Sequence, residues 1–212
     1  MNLFQGILDE EIQSMYACLG ATEKRYKKGQ TIWHNGKPVR EIANIREGMV
    51  YIKTHDMWDH EEIIGEAEAG EMFGEAYACA GKPLGVDVVA GTDCFISFLS
   101  VGKILTPCGK ACAYHTKLIS NLLSIMAAKN LALTEKIKDI SPRTIRKRVI
   151  SYLERESVER KSISFEVPFN RQQLADYLCV DRSALSATLS NLAKEGVLYC
   201  DKSSFILKKR LQ

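Results

Sequence analysis

The 212-residue chain contains no apolar run near the roughly 20 residues that a membrane-spanning helix needs, so no membrane partner is expected. Its opening, MNLFQGILDEEIQSM, lacks a basic start followed by an apolar stretch, which argues against a secretory leader and makes the cytoplasm the expected compartment. The seven cysteines (Cys18, Cys79, Cys94, Cys108, Cys112, Cys179 and Cys200) are odd in number and scattered. That pattern argues against a disulfide framework and fits reduced thiols, most of them small buried apolar residues. No internal repeat or low-complexity tract is visible. A nucleophile elbow, a phosphate loop and a metalloprotease helix are all missing. The acid pairs Glu61-Glu62 and Glu66-Glu68, with His34, His55, His60 and His115, could in principle support catalysis. Carboxylates in strand-and-turn context are ordinarily a solvated face, so no enzyme is expected.

What is present is a globular composition, 46% apolar and 26% charged. The net charge is only +3, but it is unevenly spread. From Ser141 onward there are 14 Lys and Arg against 8 Asp and Glu, and before it 15 against 18. Opposite signs suggest two domains, the C-terminal one facing a polyanion.

Residues 1–20 have Ile7, Leu8, Ile12, Met15 and Leu19 at helical spacing. From Thr22 to Leu99 the pattern changes to short alternating runs: Gln30–Trp33, Ile42–Ile45, Met49–Ile52, Glu62–Gly65, Val86–Ala90 and Cys94–Leu99. Glycines punctuate them, as in a sandwich or rolled barrel. Helical spacing returns near Val101 and dominates from Lys110 to Lys138. There Ile119, Leu122, Met126, Leu133 and Ile137 form one seam, which Leu118, Ile125 and Leu131 widen into a second face. Such a helix either packs on its own barrel and on a second copy of itself, or is a core helix covering the barrel. At Asp139-Ile140-Ser141-Pro142 a hinge is expected, with Ser141 as N-cap and Pro142 in the first turn of a new helix running toward Arg160.

Asn170 is placed to cap a helix from Arg171 to Leu178, and Asp181 to cap a second from Arg182 to Lys194. Leu174, Ala175 and Leu178 would pack on Leu185, Leu189 and Leu192, with Ala175 allowing close approach. The second helix then presents its other face to a DNA major groove. Gly196 ends it, and Val197–Tyr199 and Phe205–Leu207 flank a polar turn to make a wing. The expected DNA contacts are Arg182, Ser183, Ser186, Ala187 and Ser190, with Arg171, Gln172 and the wing residue Lys202. Arg182 reaches a phosphate or a guanine edge, or else pairs with Asp181; the serines are contacts or ordinary surface.

The stretch NRQQLADYLCVDRSALSATLSNLAKEGV, Asn170 to Val197, resembles the winged helix-turn-helix of the Crp/Fnr transcription regulators, most closely members from anaerobic Firmicutes. Upstream, Lys28-Gly29-Gln30, Ile45-x-x-Gly48-x-Val50 and Gly70-Glu71-Met72-Phe73-Gly74-Glu75 resemble that family's cyclic-nucleotide-binding β-roll, and Asp139 falls at its hinge aspartate. The resemblance covers nearly the whole chain. It implies an α+β fold: a double-stranded β-roll sensing domain over residues 1–106, a dimerisation helix and hinge over 107–139, and a winged helix-turn-helix over 140–212. It further implies a homodimer on a palindromic site in double-stranded DNA, a small-molecule effector, and RNA polymerase as a further partner.

Two departures bear on the effector. Cyclic-AMP-binding relatives follow the Phe-Gly-Glu turn with an Arg-Ser pair that grips the phosphate. Here the segment reads Lys82-Pro83-Leu84-Gly85-Val86-Asp87, with no arginine, so cyclic AMP is not the expected effector. Oxygen-sensing relatives crowd cysteines near the N-terminus to hold an iron–sulfur cluster, and this chain has only Cys18 there, so no such cluster is expected. The cofactor is thus open. An effector pocket between roll and long helix would use Glu75 and Tyr77, with Lys129 and Asn130. Lys129 in an apolar seam would want a carboxylate or phenolate, or it snorkels to solvent while Asn130 sets dimer register. Cys108, Cys112 and His115, at i, i+4 and i+7, are a further candidate for zinc, iron or haem in a metal- or redox-sensing regulator, with no evident fourth ligand. Ala187 stands where many relatives carry a base-reading arginine, which leaves open a ligand-sensing protein with weakened DNA contact.

Overall fold

The computed structural model describes residues 2–55, 60–106 and 113–208. The chain divides into two compact units, Met1–Ala128 and Lys129–Gln212.

The first unit opens with helix α1 (Asp9–Leu19), which Gly20 closes in the left-handed conformation. Eight strands follow: β1 (Thr22–Tyr26), β2 (Thr31–Trp33), β3 (Glu41–Glu47), β4 (Met49–His55), β5 (Glu61–Glu68), β6 (Met72–Phe73), β7 (Asp87–Ala90) and β8 (Cys94–Ser100). They form two antiparallel sheets, ordered β1-β8-β3-β6 and β2-β7-β4-β5. Alternation decides what is inside. Val50 and Ile52 of β4 lie opposite Ala90 and Val88 of β7, and these four face the core. Trp33 sits 5.1 Å from Phe73 and 5.5 Å from Phe98, centroid to centroid, so one aromatic cluster joins the two sheets. Ile42 through Ile45 are all buried, because α1 packs on β8 and the helical segment Glu75–Ala80 packs on β3. There the Tyr16 hydroxyl donates to Ser97 Oγ (3.2 Å) and accepts from Arg46 Nη1 (2.6 Å).

All six strands expected from alternation are present. Two strands and a helix were not legible. β1 is almost wholly polar and exposed, so it has no alternation, and it is held by its ladder to β8. β6 has only two residues. Helix α2 (Glu75–Ala80) is a six-residue turn between Gly74 and Gly81, too short for a helical period to show. Helix α1 also begins later than the spacing suggested. Leu3, Phe4 and Ile7 are buried by turns that precede it.

After helix α3 (Val101–Leu105), the long helix α4 (Ala113–Ile140) starts in the first unit and ends in the second. Its expected single seam is split. Leu118, Leu122 and Ile125 are buried on the roll, with Ile119 and Met126 packed beside them. Asn121 Nδ2 donates to the carbonyls of Leu3 and Gln5, both at 2.9 Å. Leu133 and Ile137, expected on the same seam, are instead 61% and 58% exposed, as is Leu131 at 62%.

The second unit comprises the end of α4, α5 (Ile145–Glu159), β9 (Ser164–Glu166), α6 (Arg171–Tyr177), α7 (Arg182–Lys194), β10 (Leu198–Asp201) and β11 (Ser204–Leu207). Its core joins Val149 and Leu153 to Leu174, Ala175, Leu178, Leu185, Leu189, Leu192 and Phe205. Ser141 is not the N-cap of α5. Its hydroxyl donates back to Ile137 O (2.6 Å), and Thr144 caps α5 by accepting from the Lys147 N–H (3.3 Å). Ser141 still belongs to the end of α4, because its N–H also donates to Ile137 O (2.9 Å), so the next helix starts only at Ile145. The wing likewise has three strands, ordered β10-β11-β9. β9 supplies only three residues and is recognisable only by its ladder.

Candidate nucleic-acid interface

Two caps place the reading surface. Asn170 Oδ1 accepts from the N–H groups of Gln172 and Gln173, and Gln173 returns a bond from the Asn170 N–H, which completes a capping box at α6. Asp181 Oδ1 accepts from the N–H groups of Ser183 (2.8 Å) and Ala184 (3.0 Å) and from the Ser183 hydroxyl (2.5 Å). These bonds, the Ser183 hydroxyl first, hold the Asp181 carboxyl below its ordinary range. With Leu185, Leu189 and Leu192 buried against α6, α7 exposes Arg182, Ser183, Ser186, Ala187 and Ser190.

Arg182 does not pair with Asp181, whose bonded oxygen is taken up by the cap; among the described residues Arg182 has no ion pair. The serines are less available as donors. Ser183 gives its proton to Asp181, and Ser186 gives its own to the Arg182 carbonyl (2.9 Å). Both exposed hydroxyls keep their lone pairs and so serve best as acceptors. Gln172 is exposed but bonded to Asp176 (2.8 Å).

Arg171 and Lys202 come together at the wing. Arg171 Nη2 donates to the Lys202 carbonyl (3.1 Å), and its guanidinium lies 5.9 Å from the Phe205 ring centroid. Its other terminal nitrogen, Nη1, is buried without a hydrogen-bond acceptor. Lys202 itself is exposed at a turn with φ of 49°. A recess of about 570 Å³ opens between the Val167–Arg171 segment and this turn.

Sequence reasoning missed the frame behind this surface. Asp139, 1% exposed, accepts from Ser151 Oγ (3.2 Å), Arg155 Nε (3.0 Å) and the Tyr177 hydroxyl (3.2 Å). Burial, with the Asp139 charge alongside, pushes the Tyr177 phenol up to about 12 despite the nearby Arg155. Burial opposes charge on Arg155, but its bonds to Glu159 and Asp139 outweigh that and raise its pKa. α4 thus runs through Asp139, and its end is bolted to α5 and α6. Asp139 was visible by resemblance; its partners lie 12 to 38 positions away and carry no local signal.

In the first unit Glu75 is buried at the start of α2. Gly74 before it has φ of 79°, and a Cβ there would fall 2.4 Å from the Trp33 ring, so only glycine fits. Tyr77 directs its hydroxyl toward Gly85, 3.1 Å from where a Cβ would stand. Leu84 is buried and Lys82 exposed. Lys129 and Asn130 fall in the second unit, exposed on α4, rather than inside an apolar seam. Cys108 and Cys112 lie outside the described residues, while His115 is buried on α4. Among the described residues no group of three His, Cys, Asp or Glu is arranged to hold a metal. No described helix is long and apolar enough to cross a membrane.

Residues 23–107 match the cyclic nucleotide-binding domain, and residues 147–210 match the Crp-like helix-turn-helix domain; together they take in most of the chain. No curated relative matches. Among solved structures, CprK complexed with OCPA is similar at 13% identity, over 95% of this chain and 90% of that one, with a TM-score of 0.57. The c-di-GMP responsive global regulator CLP of Xanthomonas campestris is similar at 19% identity, over 94% and 99%, with a TM-score of 0.54. The catabolite activator protein of Thermus thermophilus is similar at 18% identity, over 98% and 94%, with a TM-score of 0.50. At these identities the likeness concerns the fold.

Proposed function

The chain belongs to the Crp/Fnr family of DNA-binding transcription regulators, which are not enzymes, and from that premise we propose that it acts as a homodimer on a palindromic operator, controlled by an effector other than cyclic AMP. The observation that carries the reading is α7: both of its ends are set by internal contacts, while Arg182 and the Ser183–Ser190 face are left to solvent. Arg171 strengthens it, because its guanidinium is held at the wing by the Lys202 carbonyl and lines an open recess, where a positive charge suits a DNA phosphate. Dimerisation is supported by Leu131, Leu133 and Ile137, three large apolar side chains exposed within two turns of α4. Two such subunits would engage half-sites about one helical turn of DNA apart.

Against cyclic AMP stands the segment 82–87, where a buried Leu84 and no arginine leave the anionic cyclic phosphodiester without a guanidinium. An effector held near Glu75 and Tyr77 would act by population shift, favouring the dimer arrangement in which both reading helices meet successive grooves. Selection from a random duplex pool by the purified protein, with and without cell extract, tests the reading. Enrichment of an inverted repeat is expected, and failure under every condition would sink it.

A further inference from the structure

We propose that Arg148 is a positioning residue for DNA reading: it ties the segment between α4 and α5 to the turn that starts α7, so that displacing that segment re-aims the reading helix. The inference deepens the DNA-reading role proposed above and rests on it for its functional half.

Arg148 lies in the first turn of α5 and has no carboxylate partner among the described residues; its bonds go to backbone carbonyls. Nε donates to Pro142 O (2.9 Å), and Nη1 donates to Leu178 O (3.1 Å) and Cys179 O (3.0 Å). Leu178 is the C-cap of α6, where a helix leaves carbonyls without partners and gathers negative potential. A guanidinium fork satisfies two carbonyls there at once. Cys179, the next residue, has φ of 52°, a conformation that glycine or asparagine ordinarily takes in such a turn. The backbone there is held by the Cys179 N–H to Asp176 O (3.1 Å) and the Val180 N–H to Ala175 O (3.0 Å). Arg148 secures the carbonyl side of the same turn. Two residues on stands Asp181, the N-cap of α7. One side chain thus links Pro142 directly to the turn before the reading helix.

The far end of α7 is held from the same turn of α5. Arg146 makes a two-pronged contact with Glu195, the C-cap of α7, at 2.9 and 2.7 Å. That pair is 44% and 47% exposed, and exposed ion pairs contribute little. Arg148 is half-buried, and hydrogen bonds from a charged group to backbone carbonyls are the stronger kind. Of the two, Arg148 carries the coupling.

The test uses the full chain with Arg148→Met and Arg148→Lys, and Lys147→Met as a control for lost charge on the same turn. Amide exchange is read first. Arg148→Met should raise exchange at Ser183, Ala184 and Leu185 by about tenfold, with Leu192 and Ala193 unchanged. Arg148→Lys should fall between it and the parent, because an ammonium cannot span three carbonyls. DNA binding is read second, on the selected duplex and on a random one. Arg148→Met should cut the preference for the selected duplex about tenfold and leave random DNA and the salt slope unaltered. Lys147→Met should lower any binding it changes equally on both. Unchanged exchange at the start of α7, or an even rise across the whole second unit, overturns the proposal. So does an equal loss on both duplexes. If no duplex can be selected, the regulator reading fails, and the exchange pattern alone decides the role of Arg148.

Discussion

Arg171 and Arg182 are both cations of the helix pair, yet they are held differently, and the difference predicts different losses. Arg171 is anchored on the wing by the Lys202 carbonyl and lines the recess there, the placement expected of the proposed phosphate contact. Arg171→Ala should weaken selected and random DNA alike and reduce the salt slope by about 1. Arg182 is unrestrained at the first turn of α7. Arg182→Ala should cost about 1–3 kcal/mol on the selected duplex alone and relax preference at one base position, as measured by competition binding. Asp181 makes a pH prediction. Its folded pKa is depressed, so its contribution is present above the ordinary carboxylate value and is lost as pH falls through the folded one. Below about pH 4 the parent should lose thermal stability more steeply than Asp181→Asn, which caps without titrating.

At the scale of elements, α6 and α7 approach closely because Ala175 is fully buried between them. Ala175→Leu should overpack the contact and lower unfolding stability by about 1–3 kcal/mol in denaturant titration. The long helix behaves as two pieces. Its first half is anchored on the roll by Leu118, Leu122 and Ile125, and its second leaves Leu131, Leu133 and Ile137 exposed. A single sequence period runs through both, since a helical period marks an apolar face and not what covers it. Leu133→Glu should convert a sedimenting dimer to monomer while leaving helix content unaltered.

For the whole molecule, the decisive question is what the roll admits. A ligand present at 100 times its dissociation constant stabilises the folded state by about 2.7 kcal/mol. Millimolar cyclic AMP should therefore leave the melting midpoint unmoved. A rise of several degrees would show that some group other than an arginine in 82–87 holds the phosphate.

The amino-acid sequence alone determined the elements whose signals are local. Asn170 and Asp181 announce helix starts because caps act over three residues, and Leu174 through Leu192 follow a helical period. Six strands show because their side chains alternate between core and solvent. The absence of arginine in 82–87 is equally a property of the string. Tertiary structure decided what depends on distant partners. β1 and β9 exist only through their ladders, the seam of α4 divides by what covers it, and Ser141 stays bonded to the end of α4, so that Thr144 caps α5 in its place. It also decided how the reading helix, legible from the start, is held. The aim of α7 is set by Arg148 reaching Leu178 and Cys179, about thirty residues away, and hydrogen bonds across such separations leave no period in a sequence.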